Sequence, residues 1–217
     1  MDDLPPGVVV DEGHVWSVSV QNTVFSAKSG VAVKPTHLVW AAGAWCNVER
    51  KATTDTQLVV PKARTMTQGL GHINCVGGES PEAAALAITI TCVYLHYAGL
   101  HQALPQDVRV ITVNVSCKPC EGWSPTLDMR QFEMMLRRHG RIHHHSNPVS
   151  YVVFAYSTGA GPDGTGGNAV TFTIHDKLKF SIAGCTPANY LEIAKHGIRI
   201  VTAAVAQQEE RARAAAQ

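Results

Sequence analysis

The stretch EAAALAITITCVYLHYAGL, residues 82–100, sets the tightest limit on what this chain can fold into. Its start is marked: Ser80 is an N-cap residue, Pro81 stands in the first turn where its missing N–H is not needed, and Glu82 complements the positive end of the helix dipole. Apolar residues fall on nearly every face. The sequence therefore predicts a helix buried on most of its circumference, with the other elements packed around it. Thr89, Thr91, Tyr94, His96 and Tyr97 interrupt the run, which falls short of the ~20 apolar residues of a membrane span.

The flanking sequence reads as strands and further helices. HLVWAAGAWCNV and TQLVVPKA are apolar runs of strand length separated by a polar stretch, which predicts an antiparallel pair. GLGHINCVGGES reads as a glycine-rich loop, and DVRVITVNVS as a β-branched strand. A helix is expected from Ser124-Pro125, with Leu127, Phe132, Met135, Leu136 and His139 on one stripe and Gly140 closing it. PVSYVVFAY is the next strand, STGAGPDGTGGN a surface loop, and AVTFTIHDKLKF alternates. ANYLEIAKHG is expected to be a short helix ending at Gly197, followed by a separate polar helix, AVAQQEERARAAAQ. The order β-β-α-β-α-β predicts an α/β sandwich around a mixed sheet. No internal repeat is visible. Residues 1–35, with weak alternation in HVWSVSVQ and GVAVK, read as an N-terminal extension, 36–182 as the core domain, and 183–217 as a C-terminal extension with helices.

Composition narrows the function classes. A formal charge of +1 over 217 residues, with Lys and Arg scattered, gives no basic stripe. A nucleic-acid partner is thus left open as a local patch but is not indicated by charge. Six cysteines are too sparse for a disulfide scaffold, and MDDLPPGVVVDEGH has neither the charged and apolar regions of a secretory signal nor an Arg-rich presequence. Reduced thiols and an intracellular location are expected, in the cytoplasm or in an organelle after removal of a presequence.

The order of these elements and the motifs at two helix starts resemble the cytidine deaminase family, whose zinc site lies at the N-termini of two adjacent helices. GGESPEAAALAI places Ser80-Pro81-Glu82 where that family has a ligand-x-Glu triplet, and SPTLDMRQFEMML places Thr126 and Met129 where its Ser-Pro-Cys-x-x-Cys motif has its two cysteines. The resemblance implies a three-layer cytidine-deaminase-like sandwich with a mixed sheet, over roughly residues 36–180, and a pocket formed by Ser80, Glu82, Thr126 and Met129. Such a deaminase needs Zn2+ on three thiolate or imidazole ligands, an open position for water, and a Glu that moves protons. Ser80 and Thr126 keep their hydroxyl protons and Met129 offers a weak thioether, so only Glu82 survives.

Two other arrangements compete. With Cys117-Lys118-Pro119-Cys120 as the second motif, Glu82 and two thiolates are present and only Ser80 is wrong, although Gly122 and Pro125 would break the helix. Alternatively His72-x-x-Cys75 and Cys117-x-x-Cys120 form a closed Cys3His zinc site. The His143–His145 run reads as a solvated loop, and Trp16, Trp40, Trp45 and Trp123 as core or interface residues. The expected function is a catalytically inactive deaminase-fold protein without a cofactor, a structural or binding subunit of a heteromeric complex whose terminal extensions contact protein partners. The alternative is a zinc-dependent cytidine or nucleotide deaminase using Glu82 with Cys117 and Cys120.

Overall fold

The computed structural model describes residues 7–34, 46–49, 53–58, 63–77, 80–137, 141–145, 151–157 and 169–216. They form β1 (Val8–Asp11), β2 (His14–Lys28), β3 (Cys46–Glu49), β4 (Thr53–Leu58), β5 (Ala63–Gln68), β6 (His72–Val76), α1 (Pro81–Tyr97), β7 (Gln106–Pro119), α2 (Met129–Leu136), β8 (Arg141–His145), β9 (Tyr151–Ser157), β10 (Ala169–His175), β11 (Phe180–Cys185) and α3 (Tyr190–Ala215). The chain forms two compact units, Asn22–Thr112 and a second made of Met1–Gln21 with Val113–Gln217. It passes between them inside β2 and inside β7.

In the Asn22–Thr112 unit the strands run in the order β3-β4-β5-β6-β2, each pair antiparallel. Alternation sends Ala63, Thr65 and Thr67 of β5, Ile73 and Cys75 of β6, and Phe25 and Ala27 of β2 to one buried face. Ala84, Ala87, Ile88 and Cys92 of α1 pack on it. The tight β5–β6 turn is closed by the Gly71 N–H donating to the Gln68 carbonyl at 2.8 Å. Gly71 sits at φ +80° with its α-carbon against the Val31 carbonyl, where any side chain would collide.

The second unit repeats this plan. Its order is β7-β11-β10-β9-β8, again antiparallel, with β1 paired to β2. Val170, Phe172 and Ile174 of β10, Phe180 and Ile182 of β11, and Val115 and Cys117 of β7 face the core. The β10–β11 turn is closed by the Leu178 N–H donating to the His175 carbonyl at 3.0 Å, the counterpart of Gly71 and Gln68. Leu178 shares the positive φ of Gly71, and Gly184 that of Gly77, at matching places. The buried residues of α1, Ala84, Ala87, Ile88, Thr91, Cys92 and Leu95, recur with the same spacing in α3 as Ala194, Gly197, Ile198, Val201, Thr202 and Val205. Each unit is therefore one long strand, a four-strand meander and a long helix: a structural duplication.

Several expectations are corrected. Within each unit the described strand pairings are antiparallel, where a mixed sheet was expected. GLGHINCVGGES contains β6, because Ile73 and Cys75 alternate into the core. His143–His145 lies on β8 rather than in a loop. Residues 183–217 are no extension: they end β11 and supply α3. Gly197 does not end a helix. A β-carbon there would lie 2.6 Å from Phe172 Cε1 and 2.9 Å from Phe180 Cε2, so glycine lets an unbroken α3 lie close on the sheet. Nor is α1 buried all round, since Leu86 is 49%, Val93 42% and Tyr97 81% exposed on its outer side. The segment STGAGPDGTGGN lies largely, and Trp40 and Trp45 wholly, outside the described residues.

Candidate functional site

The start of α1 is a helix cap and little else. Ser80, at φ −148°, caps as expected, its hydroxyl accepting from the Ala83 N–H at 3.1 Å. The Glu82 carboxyl is fully exposed and held below the usual carboxylate range, first by a backbone N–H and then by the Ser80 hydroxyl. A proton shuttle works best with a pKa near the operating pH, so these partners pull Glu82 the wrong way. The second motif does not open a helix at Ser124-Pro125. α2 begins at Met129, with Asp128 as N-cap accepting from the Arg130 and Gln131 N–H groups at 3.0 and 3.2 Å. Gln208 of α3 fixes the preceding turn, accepting from the Asp128 N–H at 2.8 Å and donating to the Thr126 carbonyl at 3.0 Å. Thr126 is exposed and Met129 is buried in the core. Ser80 and Glu82 belong to one unit, Thr126 and Met129 to the other.

The cysteine pairs do not present chelating sets. His72 and Cys75 stand three residues apart on a strand, which points them to opposite faces, and Cys75 is in the core. Cys117 is fully buried, and burial, with Cys185 nearby, pushes its thiol up to about 12, against the deprotonation a zinc ligand needs. Cys120 is half-buried beyond the strand, its N–H donating to the Val15 carbonyl at 2.8 Å. Among the described residues no three His, Cys, Asp or Glu side chains cluster in a way that could hold a metal. An open groove of about 610 Å³ between α2 and α3 is lined by Gln131, Met134, Ala203, Ala206, Glu210 and their neighbours, with no cysteine or histidine.

The described tryptophans pack within the fold. Trp16 is fully buried, edge-on to Trp123 at 5.7 Å and tilted against Phe180 at 5.8 Å, while His14 stacks on Trp123 at 3.7 Å.

What each unit does offer is the sheet face opposite its long helix. In the second unit the outward positions are Asn114 and Lys118 on β7, with Ser116 between them buried, Ser181 and Ala183 on β11, Thr171, Thr173 and His175 on β10, and Tyr151, Val153 and Ala155 on β9, in register. Val10 and Val15 pair across β1 and β2 on the same side, 47% and 42% exposed. No carboxylate stands among these described side chains. Lys179, one residue before β11 in the same phase, is exposed as Lys118 is. The other unit repeats the pattern: Ser26 and Lys28 on β2, Asn74 and His72 on β6, and Arg64, Met66 and Gln68 on β5, with Lys28 directly opposite His72. Duplication thus sets a basic cross-strand pair at the same point of both sheets, Lys28 with His72 and Lys118 with Lys179. Sequence reasoning missed these residues because they are spread singly over four strands. The alternation of AVTFTIHDKLKF, polar and small against apolar, was the local signal.

No family model matches the sequence, and no curated protein matches it. Among solved structures the chain is similar to Methanococcus jannaschii TBP, with 18% identity, 85% of this chain and 98% of that one covered, and a TM-score of 0.58. A second match is heterotetrameric sarcosine oxidase from Corynebacterium sp. U-96 in complex with pyrrole 2-carboxylate, at 11% identity over 93% of this chain and 88% of that one. Its TM-score is 0.29. The chain has a TBP-like fold, with the helices and antiparallel strands described above.

Proposed function

We propose that this protein is a non-catalytic binding module whose helix-free sheet faces take a nucleic-acid double helix. The observation that carries the reading is the second unit's outward face: hydroxyls, Asn114, valines and cations, with no described carboxylate to repel phosphate. Sheets that read duplexes lay their strands along a groove. Small and β-branched side chains allow the backbone to approach sugars, Asn and Ser supply donors to base-edge acceptors, and Lys or Arg at the margin contacts phosphate. Near-neutral net charge is compatible with this, because only one face needs to be positive. The TBP-like fold supports the reading by supplying such a face in each unit, and supports no particular ligand. Non-catalytic binding is kept from the sequence expectation as a proposal, while the proposed partner changes from protein to nucleic acid and the surface from the terminal extensions to the sheet faces.

The test is fluorescence anisotropy with duplex DNA, duplex RNA and single strands over a salt series. At least one duplex should bind with an affinity that falls steeply with salt, since each neutralised phosphate contributes about 0.9 to the log–log slope. The pair Lys118→Ala with Lys179→Ala should weaken binding and flatten that slope by about 2, whereas Lys195→Ala on α3 should change neither. Absence of duplex binding at low salt, or an unchanged slope in the lysine pair, would sink the proposal.

A further inference from the structure

The outer side of α1 carries a stripe that the fold itself does not need. Glu82, Leu86, Thr89, Val93 and Tyr97 are its most exposed positions, with Ile90 half-buried beside them. The matching positions of α3, found from the shared spacing of the buried residues, are Glu192, His196, Arg199, Ala203 and Gln207. The same architecture is thus built with a charged and polar outer stripe in one unit and an apolar one in the other. Leu86 at 49%, Val93 at 42% and Tyr97 at 81% exposure amount to a contiguous apolar strip with no described side chain over it.

Its pattern is symmetric about the point between Thr89 and Ile90: Leu86 and Val93 are equidistant from that point, and so are Glu82 and Tyr97. We propose that this face pairs with the same face of a second copy of the chain, two α1 helices crossing antiparallel about a two-fold axis at Thr89 and Ile90. Isologous contact of this kind requires a self-complementary patch, and the stripe is one. Leu86 of each copy meets Val93 of the other. The Tyr97 hydroxyl donates to the Glu82 carboxylate of the other copy. The N-terminal end of each helix, with Glu82, lies beside the C-terminal end of its partner, so the helix dipoles are opposed. Between these ends the stripe carries no charge, so like charges do not meet. A helix face of roughly 25 Å by 10 Å, doubled, is on the order of 500 Å², below the size of a stable specific interface, so the dimer is weak and concentration-dependent.

Sedimentation velocity on the full chain over a wide concentration range tests this. The wild type should shift from monomer to dimer as concentration rises. Leu86→Lys alone and Val93→Glu alone should each weaken the dimer roughly thirtyfold or more, the scale of a central anchor residue, with helical content and melting temperature unchanged because both positions are exposed. Mixing the two variants should restore a heterodimer, since position 86 of one copy faces position 93 of the other and the new lysine meets the new glutamate. A wild type that stays monomeric throughout overturns the proposal, as does a dimer that tolerates both variants. Loss of the dimer in each variant without restoration on mixing overturns the antiparallel register.

Discussion

The two units solve the same packing problem, a long helix lying on a four-strand meander, with opposite chemistry at its centre. In the Asn22–Thr112 unit the contact is polar: Thr65 and Thr91 hydroxyls meet at 2.8 Å, fully buried. Thr91 also reaches the Ala87 carbonyl at 3.0 Å, and since that carbonyl can only accept, Thr91 donates there and Thr65 must donate to Thr91. In the other unit the place of Thr65 is taken by Phe172, that of Ala87 by Gly197 and that of Thr91 by Val201. The large ring fills the space and glycine makes room for it. Volume is traded across the interface: a small strand residue faces alanine, a large one faces glycine. A duplicated fold therefore constrains the total filling of a site and its hydrogen-bond satisfaction, and leaves the choice of residues free.

The largest effect should come from emptying the aromatic side. Phe172→Ala is expected to cost about 3–5 kcal/mol in denaturant unfolding, the range for deleting a fully buried ring. Loss below about 1 kcal/mol would mean that α3 collapses onto the sheet and the comparison is too rigid.

Gly197→Ala comes next and has a counterintuitive sign. Glycine to alanine inside an ordinary helix gains about 1 kcal/mol, yet here the added carbon meets two rings, and overpacking should turn that into a net loss of about 1–3 kcal/mol. Phe172→Leu in the same chain should recover part of it. Ala87→Gly in the other unit lacks any such conflict and should lose only about 1 kcal/mol. Equal signs and sizes at Gly197 and Ala87 after each exchange would break the idea of traded volume.

For the polar pair, Thr91→Val leaves the buried Thr65 hydroxyl without its acceptor and should cost about 1–3 kcal/mol. The double change Thr65→Val with Thr91→Val should cost less than the sum of the two single changes, as a double-mutant cycle would read directly. Additive losses would show that the two hydroxyls do not act as a pair.

Alkaline pH acts on both units through buried thiols. Burial pushes Cys92 and Cys185 up to about 11, and Cys117 up to about 12, from an ordinary value of 9.0. A folded-state value raised above the unfolded one means that the folded chain holds these protons longer. Stability is thus unaffected below about pH 9 and falls as pH rises through 9 toward 11–12. Cys117→Ala should flatten that decline, read as unfolding midpoints from pH 8 to 11, though the lost sulfur lowers stability at every pH.

The smallest effect belongs to the residues that looked most chemical. Ser80→Ala should remove a helix cap and cost about 1 kcal/mol, while Glu82→Gln should lower thermal stability slightly at neutral pH, because the charged carboxylate is the form the helix start favours. A loss in the first case comparable to Phe172→Ala would mean that the α1 start does more than cap.

Much of this was legible in the sequence where chemistry is local. Ser80, Pro81 and Glu82 mark the start of α1 because capping depends on residues within one turn, and the alternation in DVRVITVNVS marks β7 because burial on one face imposes a period of two. The same locality misled at Gly197 and at Ser124-Pro125. Glycine is a helix terminator when the deciding contacts are local, but Phe172 and Phe180 lie across the interface. Asp128 rather than Ser124 caps α2, where Gln208, far along the chain, holds the turn before it. The apolar surface of α1 read as burial on most of its circumference because composition cannot tell a residue facing a core from one exposed on an outer stripe.

By itself, then, the sequence determined where α1 begins and which strands alternate, while the unbroken α3 was read as two helices. Tertiary structure alone decided the duplication and the shared basic pairs. Gly71 with Leu178, Thr65 with Phe172, and His72 with Lys179 have no identity to connect them. Backbone turn geometry and strand register hold those positions in common, and both tolerate any side chain that fits the volume. Register fixes which face a residue joins and which residues lie beside it, and register is a property of paired strands, which no single stretch of sequence contains.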